Sequence, residues 1–231
     1  MKGSIWNPEM ECMNPKKMTA IQEKRFLSVV NWAYKRSTFY RKRFEQAGIS
    51  LSDIKSLKDI TKLPFMYKDD LRLSQENAPP YGEHCTLPDK IFRTYWSTGT
   101  TGNPTFMGVS QSEARYWDDV AARSLYASGL RKGDKFHHAT QLSSFAGGYN
   151  FLRAAQLIGA NIIPAGAGNT ERHIYLISKL KPTFLKILPA YASYMAEVGY
   201  KMGVDVSASS ISIIYLSAEP APPDMRQDIE R

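Results

Sequence analysis

Ser97-Thr98-Gly99-Thr100-Thr101-Gly102-Asn103-Pro104-Thr105 packs five hydroxyls and two glycines into nine residues. Glycine lets the backbone curl until successive N–H groups point into one concavity, and the hydroxyls add further donors. Such a nest suits phosphate oxygens. It is not a P-loop, because no Gly-Lys-Ser/Thr follows four residues after a glycine. The competing reading is a solvated turn of small residues. The density of the run argues against that, as does its expected place between a strand and a helix, where α/β folds put their ligands.

Other residues able to do chemistry are less organised. His137 and His138 are adjacent on an expected strand, so they face opposite ways and cannot jointly serve one site. His84, Cys85 and His173 are scattered, no metal-ligand spacing emerges, and no metal site is expected. Cys85 has no local base and reads as a small apolar residue. Lys35, Arg36, Arg41, Lys42 and Arg43, with Tyr34, Phe39 and Tyr40, resemble a nucleic-acid patch in composition. They read better as the solvated basic face of an amphipathic helix, and no nucleic-acid partner is expected.

The chain has 231 residues, 43% apolar and 23% charged, which suits a globular protein with a core rather than a disordered chain or a disulfide scaffold. Thirty Lys and Arg against 22 Asp and Glu give a net charge of +8. That excess favours anionic partners such as nucleotides, coenzyme A, nucleic acid or acidic lipid, without choosing among them. Two cysteines, Cys12 and Cys85, suggest a reducing compartment. No apolar run approaches the length of a membrane span, and Met1 to Met10 show no secretory h-region, so a cytoplasmic location without membrane contact is expected.

The elements that must position the loop follow from hydrophobic spacing. Residues 19 to 47 read as one helix, with Ile21, Phe26, Val29, Val30, Ala33 and Tyr34 on its apolar face and Gly48 as its stop. Short helical turns at Ser52 to Leu57 and Lys68 to Leu73 follow, closed by the Ala78 to Gly82 break. Strands are expected at Ile91–Trp96, Lys135–Gln141, Asn161–Pro164, Thr183–Leu188 and Ser210–Leu216. Helices are expected at Ser110–Gly129, Tyr149–Ile158, Thr170–Leu180 and Ala190–Met202. The alternation predicts an α/β fold in which a mostly helical segment, 1–90, precedes a parallel-sheet region, 91–231. A sheet edge near Ile211 to Leu216 would invite homodimerisation.

Several stretches together resemble the phenylacetate–CoA ligase family of adenylate-forming enzymes. Ser97 to Thr105 looks like their phosphate loop, and Trp6-Asn7-Pro8-Glu9-Met10-Glu11 like their opening. Phe39-Tyr40-Arg41 with Phe44, and Leu63-Pro64-Phe65 with Lys68-Asp69-Asp70-Leu71-Arg72, resemble their helical N-terminal segment. Phe145-Ala146-Gly147-Gly148 and Gly168-Asn169-Thr170-Glu171-Arg172 resemble their central motifs, and Ala218-Glu219-Pro220 their later nucleotide-side motif. Singly each is weak; six in the family's order are strong.

The resemblance implies the front part of the large N-terminal domain of a ligase that activates an aromatic carboxylate. ATP and Mg²⁺ would yield an acyl-adenylate and pyrophosphate, and the thiol of coenzyme A would then displace AMP. It assigns the phosphates to Ser97, Thr98, Gly99, Thr100, Thr101 and Gly102. Ala218, Glu219 and Pro220 would border adenine and acyl group, and Phe145, Ala146 and Gly147 would line the acyl pocket. The family loop carries lysine after its second glycine where this chain has Asn103, and Lys68 is the basic residue offered in its place. The family's catalytic lysine, hinge and small C-terminal domain correspond to positions beyond Arg231. The alternative is a module of this fold that binds a nucleotide or acyl group without turnover.

Overall fold

The computed structural model describes residues 5–97, 103–142 and 146–231, which form two compact units, 7–114 and 115–231 with the first turn of chain at Ile5 and Trp6. The first unit opens with α1 (Pro8–Glu11), α2 (Pro15–Arg36) and α3 (Thr38–Gln46). Where apolar spacing predicts one helix over 19–47, Ser37 divides two. Its extended backbone stops α2, and its buried hydroxyl accepts from the Tyr40 N–H and donates to the Glu83 carbonyl at 2.9 Å. Serine at this position is an N-cap for α3, which periodicity alone does not register. Val30, Phe44 and Ile54 pack together as the core of these helices.

Two 3-10 turns lead to α4 (Lys68–Asn77). A hairpin follows, in which β1 (Ile91–Trp96) pairs antiparallel with β2 (Phe106–Ser110). Residue spacing does not mark β2, because a glycine interrupts it, yet Gly108 has a reason to be there. A Cβ on it would lie 2.4 Å from Ile91 Cδ1 across the hairpin.

The second unit is the parallel-sheet body. It comprises α5 (Gln111–Ala127, whose first turn belongs to the other unit), β3 (Lys135–His138), α6 (Ala146–Ile158), β4 (Asn161–Ile163), α7 (Thr170–Leu180), β5 (Phe184–Ile187), α8 (Pro189–Lys201), β6 (Ile213–Leu216) and α9 (Pro223–Glu230). All neighbours in the order β4-β3-β5-β6 are parallel. Alternation sends Phe136, Phe184, Ile213 and Tyr215 to one face, against Ala122 and Leu125 of α5 and Ala154, Ala155 and Ile158 of α6. Leu185, Ile187 and Leu216 take the other face, against Ile174 and Ile177 of α7 and Ala192 and Met195 of α8. Both faces are therefore covered, as all-parallel sheets require. β6 is an edge strand of this sheet.

Candidate functional site

The loop that carries the hydroxyl and glycine run is a hairpin connection, not a strand-to-helix junction. It joins β1 to β2 within the first unit, and α5 begins only after β2 ends. The expectation failed because Phe106 to Ser110, short and interrupted by Gly108, lacks the apolar alternation that marks a strand. Thr98 to Gly102 lie outside the described residues. What holds the loop's neck is clear: Ser97 N–H donates to the Thr105 carbonyl at 3.0 Å, and Ser97 Oγ accepts from the Thr105 N–H at 3.0 Å. The Thr105 hydroxyl donates to the same Oγ at 3.2 Å. The Ser97 oxygen thus helps to close the loop, as acceptor of both bonds.

Gln75 of α4 adds a clamp. Its amide donates to the Phe106 carbonyl at 2.6 Å and its oxygen accepts from the Phe106 N–H at 3.1 Å, as a neighbouring strand would. Lys68, the first residue of the same helix, is exposed two turns earlier. Arg43 fixes that end of α4 through Asp70, at 3.1 Å, and through the Phe65 carbonyl. The Tyr67 N–H donates to the Asp70 carboxylate at 2.7 Å, and that bond together with Arg43 holds the acid's pKa below its usual range.

The remaining candidates lie in the second unit, at the C-terminal ends of the strands. Phe145 is outside the described residues; Ala146 and Gly147 form the first turn of α6. Gly148 is buried where a Cβ would stand 1.9 Å from the Gln141 carbonyl oxygen, so this turn presses on the segment leaving β3. After β6, Ala218 adopts φ +76°, a left-handed conformation that alanine adopts at a cost on the order of 1–2 kcal/mol. Such outliers collect where a ligand is bound. Glu219 and Pro220 beside it are exposed. The Glu219 carboxylate accepts from the Ala190 N–H at 2.7 Å, at the N-terminus of α8, where the helix dipole favours a negative charge. Glu219→Ala is therefore expected to lower stability by about 0.5–1 kcal/mol, read as a shift in urea midpoint, even without ligand. An unchanged midpoint would leave Glu219 free of any capping duty.

Sequence reasoning passed over the most unusual group in this region. Lys186, one residue before the end of β5, is only 3% exposed. Its ammonium donates to Thr140 Oγ1 at 3.1 Å and lies 4.7 Å from the centre of the Phe151 ring of α6. Its register partner is His138, the last residue of β3, also buried. Burial lowers the Lys186 pKa to about 8, so the amine is still mostly cationic at neutral pH. Burial, then the Lys186 charge, lower His138 to about 4, and its ring sits against backbone groups of Thr140 and Gly148. The only sequence signal was a lone lysine inside the apolar run Phe184-Leu185-Lys186-Ile187.

On the opposite face His137 Nε2 and His173 Nδ1 are 2.8 Å apart, one donating to the other. Burial, then the neighbouring imidazole, hold His137 at about 3, and its Nδ1 is buried without a partner. These are neutral imidazoles packed in a core. Among the described residues no three His, Cys, Asp or Glu side chains gather as a metal site, and no helix is long and apolar enough to cross a membrane.

No protein-family model matches the chain. A solved structure of 2-hydroxyisobutyryl-CoA ligase, in complex with 2-HIB-AMP and CoA in the thioesterification state, superposes on 99% of it with a TM-score of 0.92. The two are 30% identical, and the match covers 50% of that protein. An open conformation of the same ligase, also with 2-HIB-AMP and CoA, gives a TM-score of 0.89 at 29% identity, over 96% of this chain and 53% of that one. The fold is thus that of part of an adenylate-forming CoA ligase.

Curated relatives narrow the class. The phenylacetate–coenzyme A ligase of Thermus thermophilus is 32% identical over 226 residues, 98% of this chain and 50% of that protein. The enzyme of the same name from Aromatoleum evansii is 35% identical over 213 residues, 92% of this chain and 48% of its own. The chain belongs to the phenylacetate–CoA ligase family, and it spans about half the length of the curated relatives it matches.

Proposed function

We propose that this chain carries the nucleotide- and acyl-binding part of a cytoplasmic, ATP-dependent carboxylate–CoA ligase acting on an aromatic acid. The observation that carries the reading is the likeness, over nearly the whole chain, to a ligase held with an acyl-AMP and CoA. In the first step a carboxylate oxygen attacks the α-phosphorus of ATP and the bond to pyrophosphate breaks. In the second, the CoA sulfur attacks the acyl carbon and AMP leaves with the bonding pair. Both steps bring anions together, so the protein must supply donors, cations and positioning.

In this reading Thr98, Thr100 and Thr101, with the N–H groups of Gly99 and Gly102, hold the phosphates. Ser97 and Thr105 keep their loop closed, and Lys68 supplies the cation that Asn103 does not. Ala218, Glu219 and Pro220 border the adenylate. Phe145, Ala146 and Gly147 line the acyl pocket. Magnesium arrives on the nucleotide, whose phosphates provide the oxygens a hard cation requires.

The test is calorimetric titration of the chain with MgATP and with aryl acids, followed by pyrophosphate exchange by the full-length protein. Nucleotide binding is expected, and Gly102→Asp is expected to weaken it at least about 100-fold, because a carboxylate would occupy the phosphate nest. Binding unchanged by Gly102→Asp would remove the loop from the site. Binding without exchange would favour a non-catalytic module.

A further inference from the structure

We propose that Lys186, with Thr140 and His138, forms the polar floor of the acyl pocket and selects an acid that bears a second carboxylate, remote from the one activated. The inference rests on the ligase reading above and names its substrate class more narrowly. A lysine 3% exposed, on a strand whose neighbours are Phe184, Leu185 and Ile187, is costly to keep charged. Among the described residues only one of its three N–H donors has an oxygen partner, Thr140 Oγ1, and the Phe151 ring faces the same ammonium. Among the described residues no carboxylate pairs with it. A buried cation with no anionic partner among the described residues is stabilised by any anion that reaches it.

Its position indicates where that counter-ion enters. Lys186 and His138 are registered neighbours at the C-terminal ends of adjacent parallel strands, the end at which such sheets bind ligands. The first turn of α6 reaches the same place, with Gly148 against Gln141 and beside His138. That turn contains Ala146 and Gly147, the residues assigned to the acyl group. The reacting carboxylate must stay open to the α-phosphorus of ATP, whereas the ammonium lies beneath α6. An acid can therefore present only its far end to Lys186. A second carboxylate there forms a charge-assisted pair in an environment where such pairs are strong, while an apolar end leaves the ammonium unpaired.

Phenylacetate and 1,4-phenylenediacetate differ only by the second carboxymethyl group, and calorimetric titration of the chain with each is the experiment. The diacid is expected to bind at least about tenfold tighter, with Lys186→Met abolishing that preference by weakening the diacid. Methionine fills the volume of the lysine stem, and circular dichroism reports whether the variant folds. Thr140→Val, which removes only the hydroxyl that orients the ammonium, should cut the preference about threefold and covers the case of a misfolded Lys186 variant. Equal affinities for the two acids, or a preference that survives both substitutions, would overturn the inference and leave the ligase reading intact. Failure of both acids and of MgATP to bind would overturn the two together.

Discussion

Gly148→Ala is expected to remove about 3–5 kcal/mol of unfolding free energy, among the largest effects of any single methyl group in this protein. Its added carbon would lie 1.9 Å from the Gln141 carbonyl oxygen, 3.0 Å from the Gln141 carbonyl carbon and 3.2 Å from Leu142 Cα. These are backbone atoms, and no rotamer change relieves the overlap. Either α6 lifts from the sheet or the segment after β3 is displaced, and that segment carries Thr140 and supports His138. The effect should therefore reach the proposed acyl pocket as well as the fold. Urea denaturation checks it; a loss under about 0.5 kcal/mol would mean that the β3–α6 connection yields freely.

A comparably large effect is expected from mild acid. His137 and His138 have folded pKa values of about 3 and about 4, far below the ordinary 6.5, both chiefly through burial. Burial lowers His173 as well. The unfolded chain binds protons at these residues from about pH 6.5 downward, whereas the folded chain refuses them until far lower. Their stabilising contribution is thus complete above pH 6.5 and is lost as pH falls toward 4. His137 and His138 alone give a slope of about 2.7 kcal/mol per pH unit once both are protonated in the unfolded state. Lowered carboxylates such as Asp70 add to the loss only below about pH 4. Urea midpoints at pH 7.5, 6 and 5 test this, and a flat profile would show that the buried imidazoles take up protons without unfolding.

Much of the architecture could be read from the chain because its pattern is repetitive. Each parallel strand is a short apolar run followed by an amphipathic helix, and Phe184–Ile187 and Thr170–Leu180 fall almost where spacing puts them. The departures have local causes. Ser37 ends a helix whose apolar stripe continues through it, since a cap acts through one hydrogen bond. β2 was hidden because Gly108 sits where Ile91 approaches too closely for a side chain. α9, polar and proline-led, presents no apolar stripe.

The site was legible in a different proportion. Resemblance singled out the Ser97–Thr105 loop and the Ala218–Pro220 turn as candidates, yet nothing in a one-dimensional pattern distinguishes Lys186 from a lysine at a strand's wet edge. Its burial depends on β5 having neighbours on both sides and helices on both faces. That is a property of the assembled sheet. The same holds for His137 and His173, 36 residues apart in sequence and joined only when α7 packs beside β3.

The strand order has a consequence for how the body assembles. β3 lies inside the sheet, but the strand made next, β4, goes to its outer flank, and β5 later takes the inner flank. Phe136 meets its partner Phe184 only after α6, β4 and α7 have been made. During synthesis β3 therefore emerges with one hydrogen-bonding edge unmatched until about fifty further residues follow. Until then His138 at the end of β3, and Thr140 just beyond it, have no ammonium opposite them. The buried Lys186 charge is thus installed by one of the last strands to dock, so the Lys186–Thr140 contact reports that the central sheet has closed.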